Sequence, residues 1–139
     1  MRRFGIMLLV LLAGTFTAMG QNGESSSEKE AGAEITFNKK THDFGKIPFK
    51  GDGSYTFEFE NTGKKALNLY EVEPSCSCTA SEWPRKPIQP GKKGKIKVEY
   101  DTKDSRNIGK FTKYIYIDNN ATKHPVKLTI TGILEKNKE

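Results

Sequence analysis

The chain has 139 residues, 35% of them hydrophobic and 10% aromatic, and a formal charge of +6 from 23 basic and 17 acidic side chains. Once an N-terminal segment is set aside, about 100 residues remain, enough for one hydrophobic core and too few for two domains. The basic surplus is spread over lysines rather than gathered in a tail, so it reads as a solubility property and not as a nucleic-acid-binding arm.

Arg2 and Arg3 precede an apolar run over residues 4–13, and Ala18-Met19-Gly20 sets small residues where a signal peptidase cuts. Residues 1–20 therefore read as a signal peptide, with Gln21 as the mature N-terminus. The run is shorter than the ~20 residues of a membrane span, and no later stretch is apolar enough to be one. No cysteine follows the cleavage site, so no lipid anchor is expected there. The protein is expected to be exported, to the periplasm or the exterior, with 21 basic against 17 acidic side chains and no nucleic-acid partner. Met1, Met7 and Met19 all fall in the signal, which leaves the mature chain no thioether to offer copper. Residues 21–33 are polar and lack aromatic side chains, a composition that cannot offset the entropy of ordering. They are expected to form a flexible linker, followed by a folded domain over 34–135 and a C-terminal tail over 136–139.

The domain reads as strands. Ile35 and Phe37 alternate with polar neighbours, as do Tyr55, Phe57 and Phe59, then Ile96, Val98 and Tyr100, then Val126, Leu128 and Ile130. This period predicts half-buried antiparallel strands, with Phe57, Phe59, Ile96, Val98, Ile115, Leu128 and Ile130 in one core. Leu67 and Leu69 keep one phase and Val72 breaks it, which predicts a bulge near Tyr70 and Glu71. The run Lys92, Lys93, Lys95, Lys97 reads as a turn followed by the solvated face of a strand. Asn61 and Gly63 suit a turn in left-handed backbone, and Asp43-Phe-Gly45 suits a sharp bend in the first strand. No segment longer than a turn has a helical period. Short strands at this spacing predict an all-β fold, an immunoglobulin-like antiparallel β-sandwich of about seven strands, although a small barrel fits the same spacing.

Cys76 and Cys78 are the only cysteines and stand one residue apart. They cannot clamp distant segments. On an extended strand their side chains share a face with Cα atoms roughly 6.5 Å apart, near the limit for a disulfide. The pair is then a local disulfide, free thiols, or a two-thiolate clamp; if extended, it is expected to be unbridged or easily reduced. Structural or locally bridged cysteines rank first. A soft metal ranks second, since two thiolates suit near-linear Cu(I), whereas Zn needs two more ligands from His42, His124 or acids. Thiol redox chemistry ranks third, because no helix N-terminus is evident to lower a thiol pKa.

The succession Thr41-His-Asp-Phe-Gly-Lys-Ile47, Phe57-Glu-Phe-Glu-Asn-Thr-Gly63, Ser75-Cys-Ser-Cys-Thr79, Trp83-Pro84, Ile88-Gln-Pro-Gly91, Val98-Glu-Tyr-Asp-Thr102 and Gly109-Lys-Phe111 resembles the bacterial domain-of-unknown-function 1573 family. The resemblance covers about residues 37–134. It implies an immunoglobulin-like sandwich akin to major-sperm-protein, ASH and PapD-type domains on exported or envelope proteins, with no established activity. The family motif usually has glycine between the cysteines, where this chain has Ser77.

Trp83 lies in a proline-rich loop and is expected to act as a lid over one end of the sandwich ahead of serving as a ligand platform. Tyr114 and Tyr116 alternate with inward isoleucines, which puts them on an outer sheet face as packing neighbours or as an interaction surface. His42 and His124 sit in turns or at strand starts without an oxyanion or general-base constellation, so an enzyme is disfavoured. Asn120-Ala-Thr122 matches a glycosylation acceptor by chance. The expected function is a non-enzymatic binding or assembly module for an envelope or extracellular protein or glycan. No cofactor is expected, the alternative being Cu(I) or Zn on Cys76 and Cys78.

Overall fold

The alternating pattern resolves into two four-stranded sheets packed face to face. In the computed structural model, which describes residues 32–137, the first sheet contains β1 (Ile35–Phe37), β3 (Ser54–Asn61), β6 (Lys93–Tyr100) and β5 (Thr79–Glu82), in the order β1-β3-β6-β5. The second contains β2 (Thr41–Pro48), β8 (Val126–Glu135), β7 (Gly109–Asn119) and β4 (Leu69–Pro74), in the order β2-β8-β7-β4. There are eight strands rather than about seven because the first strand divides. Its first half, β1, pairs antiparallel with β3, and its second half, β2, crosses to the other sheet and pairs in parallel with β8. The expectation of a wholly antiparallel sandwich is corrected at that one edge, since a period of two reports which face is buried and not which way the neighbour runs.

The seven residues assigned to the core are all at most 1% exposed, and Leu67, Ile117 and Leu134 join them. β6 alternates without a fault: Gly94, Ile96, Val98 and Tyr100 are buried while Lys93, Lys95, Lys97 and Glu99 face water. The register sets Glu60 opposite Lys93, Glu58 opposite Lys95 and Glu82 opposite Lys97, and Lys95 Nζ lies 3.5 Å from Glu58 Oε1. The lysine run is thus the solvated face of a strand, neutralised by its neighbours. The bulge expected near Tyr70 falls between Leu69 and Glu71. The bend at Asp43-Phe-Gly45 lies within β2, where Gly45 has a φ of +64° and donates its N–H to Asp43 Oδ1 at 2.8 Å.

Left-handed backbone does not occur at Asn61 or Gly63; among the described residues it occurs at Lys50, Gly45, Gly91 and Gly109. Asn61 is instead a fully buried junction. Its Nδ2 donates to Lys65 O and Ile88 O, each at 2.8 Å, and its Oδ1 accepts from Gly63 N at 3.0 Å. Gly63 answers to a close approach, because a Cβ there would stand 2.2 Å from Gly32 O. The chain is engaged from Gly32 onward: Gly32 O accepts from Lys64 N at 3.0 Å, and Ala33 packs against the core. The signal segment and most of the expected linker, residues 1–31, lie outside the described residues, as do 138 and 139.

Candidate functional site

Three connections meet at one end of the sandwich: residues 49–53 between β2 and β3, residues 75–78 between β4 and β5, and residues 101–108 between β6 and β7. The β4–β7 ladder continues one residue past Pro74, with Ser75 N donating to Tyr114 O at 2.8 Å and Tyr114 N donating to Ser75 Oγ at 3.0 Å. The chain then turns. Thr79 N donates to Cys76 O at 3.3 Å, and Asp101 N donates to Cys78 O at 2.8 Å. This turn brings the two cysteine Cα atoms to 5.3 Å, and the sulfurs are joined in a disulfide. Of the readings the spacing left open, the local disulfide is the one present, and its turn is held by bonds to Tyr114 of β7 and to Asp101 just past β6. Ser77 is exposed at the tip and closes it without left-handed backbone. The hydroxyl of buried Thr79 lies 3.6 Å from Cys76 Sγ and 4.0 Å from Cys78 Sγ.

A depression lies on each side of the bridge. One, of about 480 Å³, is bordered by Lys50, Asp52, Cys78, Tyr100 and Asp101. The other, of about 410 Å³, is bordered by Cys76, Cys78, Asp101, Asp104 and Arg106. The carboxylates are committed locally. Asp104 accepts from Arg106 N at 2.9 Å at the start of a short 3-10 helix, Ser105–Asn107, and from the Arg106 guanidinium; this arginine holds the Asp104 carboxyl below the usual carboxylate range. The hydroxyl and amide of Ser54 do the same for Asp52. Burial, with Asp101 second, raises the Tyr100 phenol. Among the described residues no cluster of three or more His, Cys, Asp or Glu could hold a metal ion.

Trp83 opens the loop that runs from β5 toward the other end. It is half-buried against the core, and the Arg85 guanidinium lies 3.6 Å from its ring centroid. Trp83 thus has the core below it and a cation above. Tyr114 and Tyr116 stand on the outer face of β7, 36% and 41% exposed. Lys127 Nζ is 4.8 Å from the Tyr114 ring, and Glu73 faces Tyr116 across the ladder. Tyr70, thrown outward by the bulge in neighbouring β4, is 60% exposed; the phase break had located the bulge without revealing what it displays. Trp83 thus stands apart, whereas the cysteine turn adjoins the tyrosine face through Ser75, which pairs with Tyr114.

His42 is at a strand start as expected, second in β2 and opposite Ile130, but it is half-buried, stacked on Tyr55 of the other sheet with ring centroids 3.6 Å apart and set edge-on to Phe44 at 4.5 Å. Its Nδ1 is buried without a partner. His124 is exposed in the β7–β8 loop, at the end opposite the disulfide. Burial, assisted by Lys39 and opposed by Asp43, holds the His42 imidazole below its ordinary value of 6.5. Well above pH 6.5 both folded and unfolded chains carry neutral His42. Below it the unfolded chain takes up a proton that the folded protein refuses, so stability falls until the folded value is reached. Urea titrations between pH 7.5 and 5.5 should show a larger stability loss for the parent than for His42→Phe; parallel profiles would remove His42 from the account.

The sequence matches, over residues 35–134, the family described as Protein of unknown function (DUF1573). The chain belongs to this family. Solved structures similar to this DUF1573 domain include a protein of unknown function from Porphyromonas gingivalis W83, at TM-score 0.67 and 16% identity over 76% of this chain and 48% of that one. They include the ASH/PapD-like domain 7 of human CEP192, at TM-score 0.60 and 10% identity over 75% of this chain and 87% of that one. A third is the periplasmic chaperone SfaE, at TM-score 0.53 and 9% identity over 76% of this chain and 59% of that one. The DUF1573 chain thus spans about half the length of the Porphyromonas protein. At such identities the likeness is one of fold, an immunoglobulin-like sandwich of the PapD kind. No curated protein matches the sequence. Among the described residues no helix is long and apolar enough to cross a membrane.

Proposed function

We propose that this DUF1573 domain is an exported, non-enzymatic binding or assembly module of the bacterial cell envelope, periplasmic or extracellular, whose partner is an envelope or extracellular protein or glycan. The observation that carries the reading is the exposed tyrosine pair on β7, Tyr114 and Tyr116, with Tyr70 displayed on the adjacent strand. Tyrosine supplies a large contact area at low entropic cost and is enriched where proteins bind. The likeness in fold to a periplasmic chaperone supports export and assembly. The edge strands are β1, β5, β2 and β4, and the reading assigns binding to the exposed tyrosine face rather than to strand addition at these edges. In cells, a photo-crosslinking residue at position 116 should give adducts that one at position 95, on the opposite outer face, does not. Tyr114→Ala with Tyr116→Ala should weaken partner capture at least about tenfold, or 1.4 kcal/mol, while fractionation reports export separately. Equal adducts at both positions would sink the assignment.

The bare disulfide turn between two depressions favours a second reading, in which Cys76 and Cys78 bind Cu(I) or act in thiol redox chemistry. As bridged, neither sulfur is a thiolate ligand. Reduction would leave two adjacent thiolates suited to near-linear Cu(I), whereas Zn finds no gathered third and fourth ligand among the described residues. Cys76→Ser with Cys78→Ser should lower stability by only about 1.5 kcal/mol, because so short a loop restricts the unfolded chain little. Urea unfolding checks this, and a loss above about 3 kcal/mol would make the bridge a requirement of the fold. Native mass spectrometry of the reduced parent should show one Cu(I) absent from the double variant; no retained copper would remove the metal reading.

A further inference from the structure

The end of the sandwich opposite the disulfide is made of three loops: residues 62–68 between β3 and β4, residues 83–92 between β5 and β6, and residues 120–125 between β7 and β8. Hydrogen bonds sew them together. Leu67 and Ile88 exchange backbone bonds at 2.9 and 2.8 Å, and Asn61 Nδ2 bridges Lys65 O and Ile88 O. Asn120 Oδ1 accepts from Asn68 N at 2.8 Å, and Asn120 Nδ2 donates to Ala66 O at 3.0 Å. The loops carry Lys64, Lys65, Arg85, Lys86, Lys92 and Lys123, six cations, and no carboxylate; all six residues are exposed. The connections at the disulfide end, by contrast, carry Asp52, Asp101 and Asp104 against Lys50, Lys103 and Arg106. Among the described residues, the carboxylates nearest the basic loops are Glu60, Glu82 and Asp118 on the flanking strands and Glu34 just before β1, whose carbonyl accepts from Thr62 N at 3.0 Å. Of these, Glu60 and Glu82 face Lys93 and Lys97 across the ladder.

We propose that this end, whose three loops carry six cations and no carboxylate of their own, docks the domain on an anionic phospholipid surface. The cations come from three loops that hydrogen bonds sew together at the tip of the domain. The aromatic anchor a protein partner would need is taken: Trp83 packs on the core and is covered by Arg85 at 3.6 Å. A layer of headgroup phosphates asks only for clustered cations held within a Debye length of it. The inference rests on the proposed export, which brings the domain to the envelope, and it leaves the tyrosine face and the disulfide end free to meet other partners.

The test is co-sedimentation of the chain from Gln21 onward with phosphatidylcholine vesicles, with and without about 30% phosphatidylglycerol, at about 0.1 M salt. Binding is expected only with phosphatidylglycerol. Lys64→Gln, Lys86→Gln and Lys123→Gln together should weaken it roughly a hundredfold, at about fivefold for each cation removed. Lys93→Gln, Lys95→Gln and Lys97→Gln together should weaken it less than about threefold, since those lysines already face carboxylates. All these side chains are exposed, and thermal unfolding verifies that both variants fold. Equal losses in the two variants, absence of binding to phosphatidylglycerol, or binding to dextran sulfate alone would each overturn the proposal. The vesicle assay uses purified protein and does not depend on export, which cell fractionation reads, so the two failures are distinguishable.

Discussion

Replacing Asn61 by alanine is expected to destabilise the domain by about 4 kcal/mol, from the 1–3 kcal/mol cost of each buried polar group left without a partner. The side chain is 0% exposed and serves four backbone groups: the carbonyls of Lys65 and Ile88 at 2.8 Å and the amides of Gly63 at 3.0 Å and Glu34 at 3.4 Å. Its own backbone is committed as well, with Asn61 N donating to Lys92 O and Asn61 O accepting from Gly91 N. One residue therefore ties the end of β3 to the start of β1 and to two of the three basic loops. A domain of this size gains only about 5–15 kcal/mol from folding, and each kcal/mol moves its melting temperature by about 4–8 °C, so calorimetry should record a fall of roughly 15–30 °C. Asn61→Asp keeps the acceptor for Gly63 but sets a buried carboxylate oxygen against the carbonyls of Lys65 and Ile88, and should cost at least as much as alanine at neutral pH. A drop under about 5 °C for alanine would mean that water or loop movement re-satisfies these groups.

That hub also marks where reading the sequence stops. Asn61-Thr-Gly63 was legible as a boundary, because polar and glycine residues interrupt an alternating run, but the reason for Asn61 lies in Lys65, Ile88 and Glu34, which meet it only after folding. The alternating strands β3, β6 and β8 and all seven assigned core residues were legible because burial on one face imposes period two. The same signal is silent about direction, so the parallel pairing of β2 with β8 was hidden. A local disulfide was among the readings of Cys76 and Cys78, but the turn that makes it was hidden, because it is held by Tyr114 of β7 and by Asp101 in the connection after β6. His42 was legible as a strand-start histidine, but nothing local tells that Tyr55 of the opposite sheet will stack on it. For the candidate sites, residue types were readable and their company was not. The sequence set Cys76 and Cys78 in one motif, yet nothing in it gathered six cations from three distant loops at one end.

A buried glycine in the middle of a strand supplies the second large effect. Gly94 lies on β6 opposite Phe59 of β3, and a Cβ there would stand 2.3 Å from Phe59 Cζ and 2.8 Å from Cε1. The phenyl ring thus lies in the slot that the missing side chain vacates, and Phe37 backs it with ring centroids 5.5 Å apart. The ring cannot move aside without displacing that neighbour, so Gly94→Ala should cost about 3 kcal/mol, the upper end for overpacking. Gly132 of β8 repeats the arrangement beneath Phe111 in the other sheet, but there the nearest ring atom, Cζ, would be 2.9 Å from an added Cβ. Gly132→Ala should therefore be the milder substitution, at about 1 kcal/mol. Urea titration of both variants checks the order. A double variant of Gly94→Ala with Phe59→Leu adds a sharper test, because a smaller side chain at position 59 makes room for the methyl group at 94. The cost of the pair should be smaller than the sum of the single costs by about 1 kcal/mol or more, as expected for residues that share one volume. Strict additivity would mean that the penalty at Gly94 arises in the backbone of β6 and not against the ring of Phe59.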